Sequence, residues 1–194
     1  MSDRHSGARP CAGRRTLVGG TVCALLTSPW WRAAAADTPP ERLPPQVGDL
    51  LAWPSWEEED RLLAPADLVA GAEPLLVYPR DPGSGVARER SRLNQLLVCR
   101  LPADLLDDAT RAFAAGEVVA YSAICTHTAC GITGWNADTH HFVCPCHQSE
   151  FAAARAGTRV AGPAPRALPA LPIALEGDRY VIRGAFTGAV GANS

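Results

Sequence analysis

The sequence predicts a mostly β protein, a small antiparallel sheet assembly with one inserted helix. Three observations carry that expectation. Short apolar runs recur between turn-forming residues, as strands do. Two of these runs lead straight into turns rich in cysteine and histidine, and a Gly-Asp pair joins the last two runs as a tight hairpin would.

In chain order, residues 37–54 are rich in proline and read as a linker or extended approach. Residues 74–79 (PLLVYP) and 93–100 (LNQLLVCR) are strand-like, and Pro82, Gly83 and Gly85 mark the stretch between them as a loop. A helix is expected after Pro102, with Leu105, Leu106, Ala109 and Phe113 on one side and Gly116 as its stop. Residues 117–122 (EVVAYS) then deliver a strand towards Cys125, and residues 141–143 (HFV) deliver another to Cys144. Residues 172–176 and 179–183 form the closing hairpin.

A chain of 194 residues, 47% hydrophobic, supports one ordinary core, so a single domain is the expectation, over residues 55–190. All 18 basic residues are arginine, the net charge is −2, and no basic block points to nucleic acid. Residues 1–36 read as an export leader. Arg14-Arg15 precedes an apolar run from Thr16 to Trp31, and an AxA site spans Ala34 to Ala36. The paired arginines indicate the twin-arginine route, which exports folded, cofactor-loaded proteins to the periplasm. A retained inner-membrane anchor is the alternative, although sixteen residues broken by Pro29 fall short of the roughly 20 that span a bilayer. From Asp37 onward, 13 arginines face 19 acidic residues, so the exported form carries about −6 and suits a basic partner such as a cytochrome.

The stretch from Cys125 to Ser149 (CTHTACGITGWNADTHHFVCPCHQS) holds four of the seven cysteines and four of the five histidines. Cys125 and His127 are two apart in an extended segment and so can face one object. Cys144 and His147 offer a second such pair, giving C-x-H, sixteen intervening residues, then C-x-x-H. Two cysteines and two histidines can hold zinc tetrahedrally, and that reading stays open on spacing alone. Each loop also carries a second cysteine, Cys130 or Cys146, and in an oxidising compartment these would be a disulfide rather than ligands.

The segments CTHTAC and CPCHQS resemble the two cluster-binding boxes of Rieske iron–sulfur proteins, specifically the cytochrome bc complex type with its extra disulfide pair. The resemblance implies a Rieske-type antiparallel β-sandwich or barrel with a small cluster-binding subdomain, its ligand loops within 124–151. It implies one 2Fe–2S cluster with Cys125 and Cys144 on one iron and His127 and His147 on the other, and a Cys130–Cys146 disulfide. It extends to Gly162, Pro163, Ala164 and Pro165, which match the proline loop that covers the cluster, at 161–166. Exchanging two thiolates for neutral imidazoles takes the oxidised cluster from about −2 to about 0. Accepting an electron is then easier, and the potential lies in the range of about −150 to +300 mV. A ligating imidazole that titrates can couple electron uptake to proton uptake.

The chain departs from the family pattern in places. Ser149 occupies the position whose hydroxyl donates to a bridging sulfide, but Phe151 stands where high-potential members carry a tyrosine, so the expected potential is lower. Thr128 replaces a leucine of the docking surface, and Ala129 and Gln148 replace glycines; a positive φ there would cost on the order of 1 kcal/mol each. These changes weaken the case for quinol docking and bring the small subunit of arsenite oxidase into consideration. His140 and His141 read as solvated strand residues, Cys99 as a buried thiol, residues 57–60 as a solvated acidic turn, and Trp53 and Trp56 as core packing. Cys11 and Cys23 belong to the leader.

The expectation is therefore a one-electron transfer protein, the iron–sulfur component of an exported or membrane-associated respiratory oxidoreductase with no substrate site of its own. Its partners would be redox proteins, a cytochrome or a catalytic subunit, with quinol as a candidate donor. The alternative is a zinc- or disulfide-stabilised exported binding module.

Overall fold

The computed structural model describes residues 38–192. Residues 1–36, read above as a leader, with Arg14, Arg15, Cys11 and Cys23, lie outside the described residues. Among the described residues, ten strands form two antiparallel sheets: β1 Leu50–Ala52, β2 Leu75–Arg80, β3 Leu96–Arg100, β4 Val118–Ser122, β5 Gly134–Asn136, β6 His141–Val143, β7 Glu150–Ala152, β8 Thr158–Ala161, β9 Ile173–Glu176 and β10 Arg179–Ile182. The larger sheet has the order β4-β3-β2-β1-β10-β9, and the smaller is the meander β5-β6-β7-β8.

The larger sheet curls until its edges meet. Along the outer edge of β4, Ser122 N–H donates to Pro169 O and Leu171 N–H to Ala120 O, so residues 169–171 close the gap before entering β9. Pro79 is tolerated inside β2 because the β3 ladder ends at Val77–Leu96 and no neighbour needs its missing N–H on that side. The strand period then sorts side chains into two cores. In β3, Leu96 and Val98 face an interior shared with Leu51, Leu63, Tyr180 and Ile182. Leu97 and Cys99 face the other side, with Val119, Tyr121, Phe142 and Phe151. Burial on both faces explains why the sequence of β3 reads as an unbroken apolar run.

Several elements differ from expectation. The helix shrinks to one turn, α1 Asp108–Arg111, capped by the Asp107 carboxylate, which accepts from Thr110 N–H. Leu106 and Phe113 are buried as expected, but Leu105 is exposed, so the apolar spacing marks a compact loop around a single turn. The proline-rich stretch does not remain a linker to residue 54, because its end is β1, an interior strand whose Leu51 and Ala52 are buried. Trp56 is 61% exposed rather than packed in the core, with its ring edge-on to Tyr78, while Trp53 does pack against the core as expected, with the Arg61 guanidinium over its ring. Residues 57–60 are exposed and Cys99 is a buried thiol, as the sequence implied.

Candidate metal centre

The two candidate ligand loops, one running from β4 of the larger sheet into β5 and the other joining β6 to β7, share one conformation. In the first, Cys125 N–H donates to Cys130 O and Cys125 O accepts from Ala129 N–H. In the second, Cys144 N–H donates to Ser149 O and Cys144 O accepts from Gln148 N–H. Each turn needs a left-handed residue at its fourth step, and Ala129 (φ 59°) and Gln148 (φ 56°) fill those places. Both loops therefore keep the shape that glycine would adopt freely, at a cost on the order of 1 kcal/mol each.

This shared shape sorts the side chains. Cys125 and Cys144 are both fully buried as free thiols and adjacent to one another. Burial pushes the Cys125 thiol above its ordinary value; the His127 backbone N–H opposes this and the neighbouring Cys144 thiol adds to it. Two adjacent buried thiols are a poor place for negative charge unless a metal supplies the compensating positive charge. On the solvent side, His127 and His147 meet with their Nδ1 atoms 3.2 Å apart and rings at 86°. Two nitrogens on one tetrahedral ion, each at about 2.0–2.1 Å, would lie about 3.4 Å apart. The donor set is thus divided, sulfur inside and nitrogen outside, and fits a binuclear iron centre held unevenly. Cys130 and Cys146 are joined as a disulfide linking the two loops. The Cys144 sulfur lies within 4.8 Å of both its sulfurs.

The Gly162–Pro165 segment crosses the second loop. A Cβ on Gly162, whose φ is +77°, would sit 2.4 Å from Ser149 Cα and 2.6 Å from Gln148 O, so only glycine permits this approach. Ala164 N–H donates to Ser149 Oγ, and Ser149 is fully buried. Phe151 is buried in the cluster that includes Cys125, Cys144 and Phe142, and pairs with Phe142 across the sheet. His140 and His141 stand apart from the converging imidazoles: His140 packs against Trp135, and His141 faces Glu150 at 3.2 Å. Three supporting residues escaped the sequence reading. Buried Thr126 donates its hydroxyl to Arg166 O, and Arg92 reaches Ala129 O. Only the position of Thr126 between two ligand candidates hinted at a role; nothing in the sequence marks the arginines.

The family profile described as the Rieske 2Fe–2S domain matches residues 85–172. A cytochrome bc1 complex Rieske iron–sulfur subunit from Streptomyces coelicolor is 31% identical over 196 residues, covering 93% of this chain and 53% of that protein. The subunit of the same name from Corynebacterium glutamicum is 49% identical over 67 residues, 34% of this chain and 16% of that protein. Among solved structures, the cyanobacterial plasma membrane Rieske protein PetC3 from Synechocystis PCC 6803 is 25% identical, covering 56% of this chain and 86% of that one, with a TM-score of 0.37. The chain spans about half the length of the Streptomyces relative and about a sixth of the Corynebacterium one. With two matching loops, a disulfide between them and this profile, residues 85–172 form a Rieske domain, the domain that binds one 2Fe–2S cluster.

Proposed function

We propose that the chain is the electron-carrying iron–sulfur component of a respiratory oxidoreductase of the cytochrome bc type, with Cys125, Cys144, His127 and His147 as the cluster ligands. The observation that carries this reading is the division of donors, buried thiols behind and imidazoles in front. The cluster supplies a one-electron couple, with a potential in the range of about −150 to +300 mV for mixed ligation. The chain's own residues set the conditions for it. The apolar packing of Phe142, Phe151 and Tyr121 excludes water behind the thiols. The disulfide and the covering loop hold the two ligand loops together. His127 and His147 stand at the accessible end, where a redox partner would approach.

Export through the twin-arginine route to the periplasm belongs to the same reading and rests on Arg14 and Arg15. Membrane association would come through the leader or a partner subunit. No helix among the described residues is long and apolar enough to cross a membrane. Electron donors would be quinol or a catalytic subunit, and the acceptor a cytochrome.

Metal and acid-labile sulfide analysis of the purified protein tests the assignment directly. Two irons and two sulfides per chain, lost together in Cys144→Ser, are expected. Zinc in place of iron, or a cluster retained by that variant, refutes it.

A further inference from the structure

The first ligand loop is held from outside by chain segments that make no covering loop of their own. Ala129, the left-handed residue of that loop, receives the Arg92 guanidinium on its carbonyl oxygen. Arg92 opens a short turn, Arg92–Asn94, whose buried Asn94 donates to Leu43 O and Arg88 O, so the arginine stands on a fixed base. On the other side, Arg166 follows the covering loop directly. Its carbonyl accepts the Thr126 hydroxyl, and its guanidinium donates to Ala189 O and Gly191 O. The C-terminal segment is anchored at Thr187, whose N–H donates to Ala170 O and whose hydroxyl accepts from Ala170 N–H. From there it returns to the first loop. The Cβ direction of Gly191 (φ +77°) points to 3.4 Å from Ala129 Cβ and 3.4 Å from Ile124 Cγ2. The second loop, by contrast, is backed by Gly162 and Ala164.

We propose that Arg92 and the C-terminal strap fastened by Arg166 are positioning elements for the first ligand pair, Cys125 and His127. The strap lies beyond the residues that the family profile matches. The physical case is one of strain and its containment. A non-glycine residue in the left-handed region is held there at a cost and relaxes unless its surroundings fix it. Ala129 N–H closes the turn onto Cys125 O, so relaxation at Ala129 would carry Cys125 with it. A planar guanidinium bridging two carbonyls is well suited to pin a backbone segment, whereas an ammonium is not. The proposal rests on the ligand assignment above, and its test separates the two.

Backbone hydrogen exchange of the full chain, as isolated, compares the parent with Arg92→Gln, Arg166→Gln and Arg166→Lys. The amides of Cys125 and Ala129 should exchange about tenfold faster in all three, as expected for losing a hydrogen bond to a charged donor. Those of Cys144 and Gln148 should not change, and iron should pass to a chelator several-fold faster. Unchanged first-loop amides, equal acceleration in both loops, or faster exchange with unaltered iron release overturns the proposal. So does parent-like behaviour of Arg166→Lys, which would assign the effect to charge instead of geometry. A chain found to hold no iron would end the ligand assignment, while exchange would still report on the strap.

Discussion

Ala164 N–H donates to Ser149 Oγ across 3.1 Å, tying the covering loop to the residue that ends the second ligand loop. With one lone pair engaged, the hydroxyl rotor is restricted and its own proton remains for a different acceptor. Ser149 is fully buried, so that acceptor is not bulk water. If it is cluster sulfur, the bond strengthens on reduction and raises the potential. Ser149→Ala should lower the midpoint by about 60 mV, the one-electron equivalent of a tenfold change, read by potentiometric titration. An unaltered midpoint would place the hydroxyl proton elsewhere.

Phe151 is fully buried, in the apolar cluster that contains both candidate cysteine ligands, and has no donor to offer them. Phe151→Tyr adds one hydroxyl in the same ring plane. A rise in midpoint of tens of millivolts is expected, with retention of the cluster. A protein that keeps its cluster at the parent potential would show that the new hydroxyl does not reach a ligand.

The boxes CTHTAC and CPCHQS are legible by resemblance and not by strand period, since β4 ends at Ser122 and residues 126–128 form a turn; period does mark the apolar runs. The same logic revealed β2, β3, β4, β6 and the hairpin of β9 and β10. β5, β7 and β8 are not visible, since short segments such as Gly134–Asn136 (GWN) and Thr158–Ala161 (TRVA) carry neither an apolar run nor a hairpin turn signal. They exist because β6 offers a ladder to β5 and β7, and β7 in turn offers one to β8. The apolar spacing after Pro102 suits a longer helix than the single turn that forms, and the prolines before β1 mask that strand. Arg92 and Arg166 act through carbonyl oxygens, which every residue has, so no residue pattern could announce them.

Gly162 tests the covering loop. A methyl group there would sit 2.4 Å from Ser149 Cα, a backbone atom that cannot swing aside. The left-handed φ adds roughly 1–2 kcal/mol of its own. Gly162→Ala should cost at least about 2 kcal/mol in denaturant unfolding and accelerate cluster loss in air. Parent-like stability would mean that the loop lifts away without consequence.

The disulfide joins two exposed loops over a closed segment of about 15 residues, worth about 3 kcal/mol on chain entropy. Cys130→Ala removes that constraint but touches no proposed ligand. Iron content should fall and the midpoint should shift, because the geometry between the loops loosens. The variant also frees Cys146, whose sulfur lies within 4.8 Å of that of Cys144, so zinc uptake by cluster-free protein should rise. The double variant Cys130→Ala, Cys146→Ala should lose iron but gain no zinc. A single variant that keeps its iron and midpoint would show that the loops hold without the bridge.

Arg88 and Asp49 separate folding from redox chemistry. Both are buried, paired through Arg88 Nε to Asp49 Oδ2 at 2.6 Å and Arg88 Nη2 to Asp49 Oδ1 at 2.8 Å, with Arg88 Nη1 donating to Pro40 O. The pair fixes the approach to β1 against the loop after β2. Arg88→Leu leaves a buried carboxylate with its guanidinium gone, which typically costs about 3–5 kcal/mol. At about 2–4 °C per kcal/mol for a chain this size, the melting temperature should drop by roughly 10 °C. Asp49→Asn in the same background should restore part of that loss by removing the stranded charge. The midpoint should stay at the parent value, since neither residue bonds to a ligand loop. A shifted midpoint with unchanged melting would mean that this pair acts on the cluster and not on the fold.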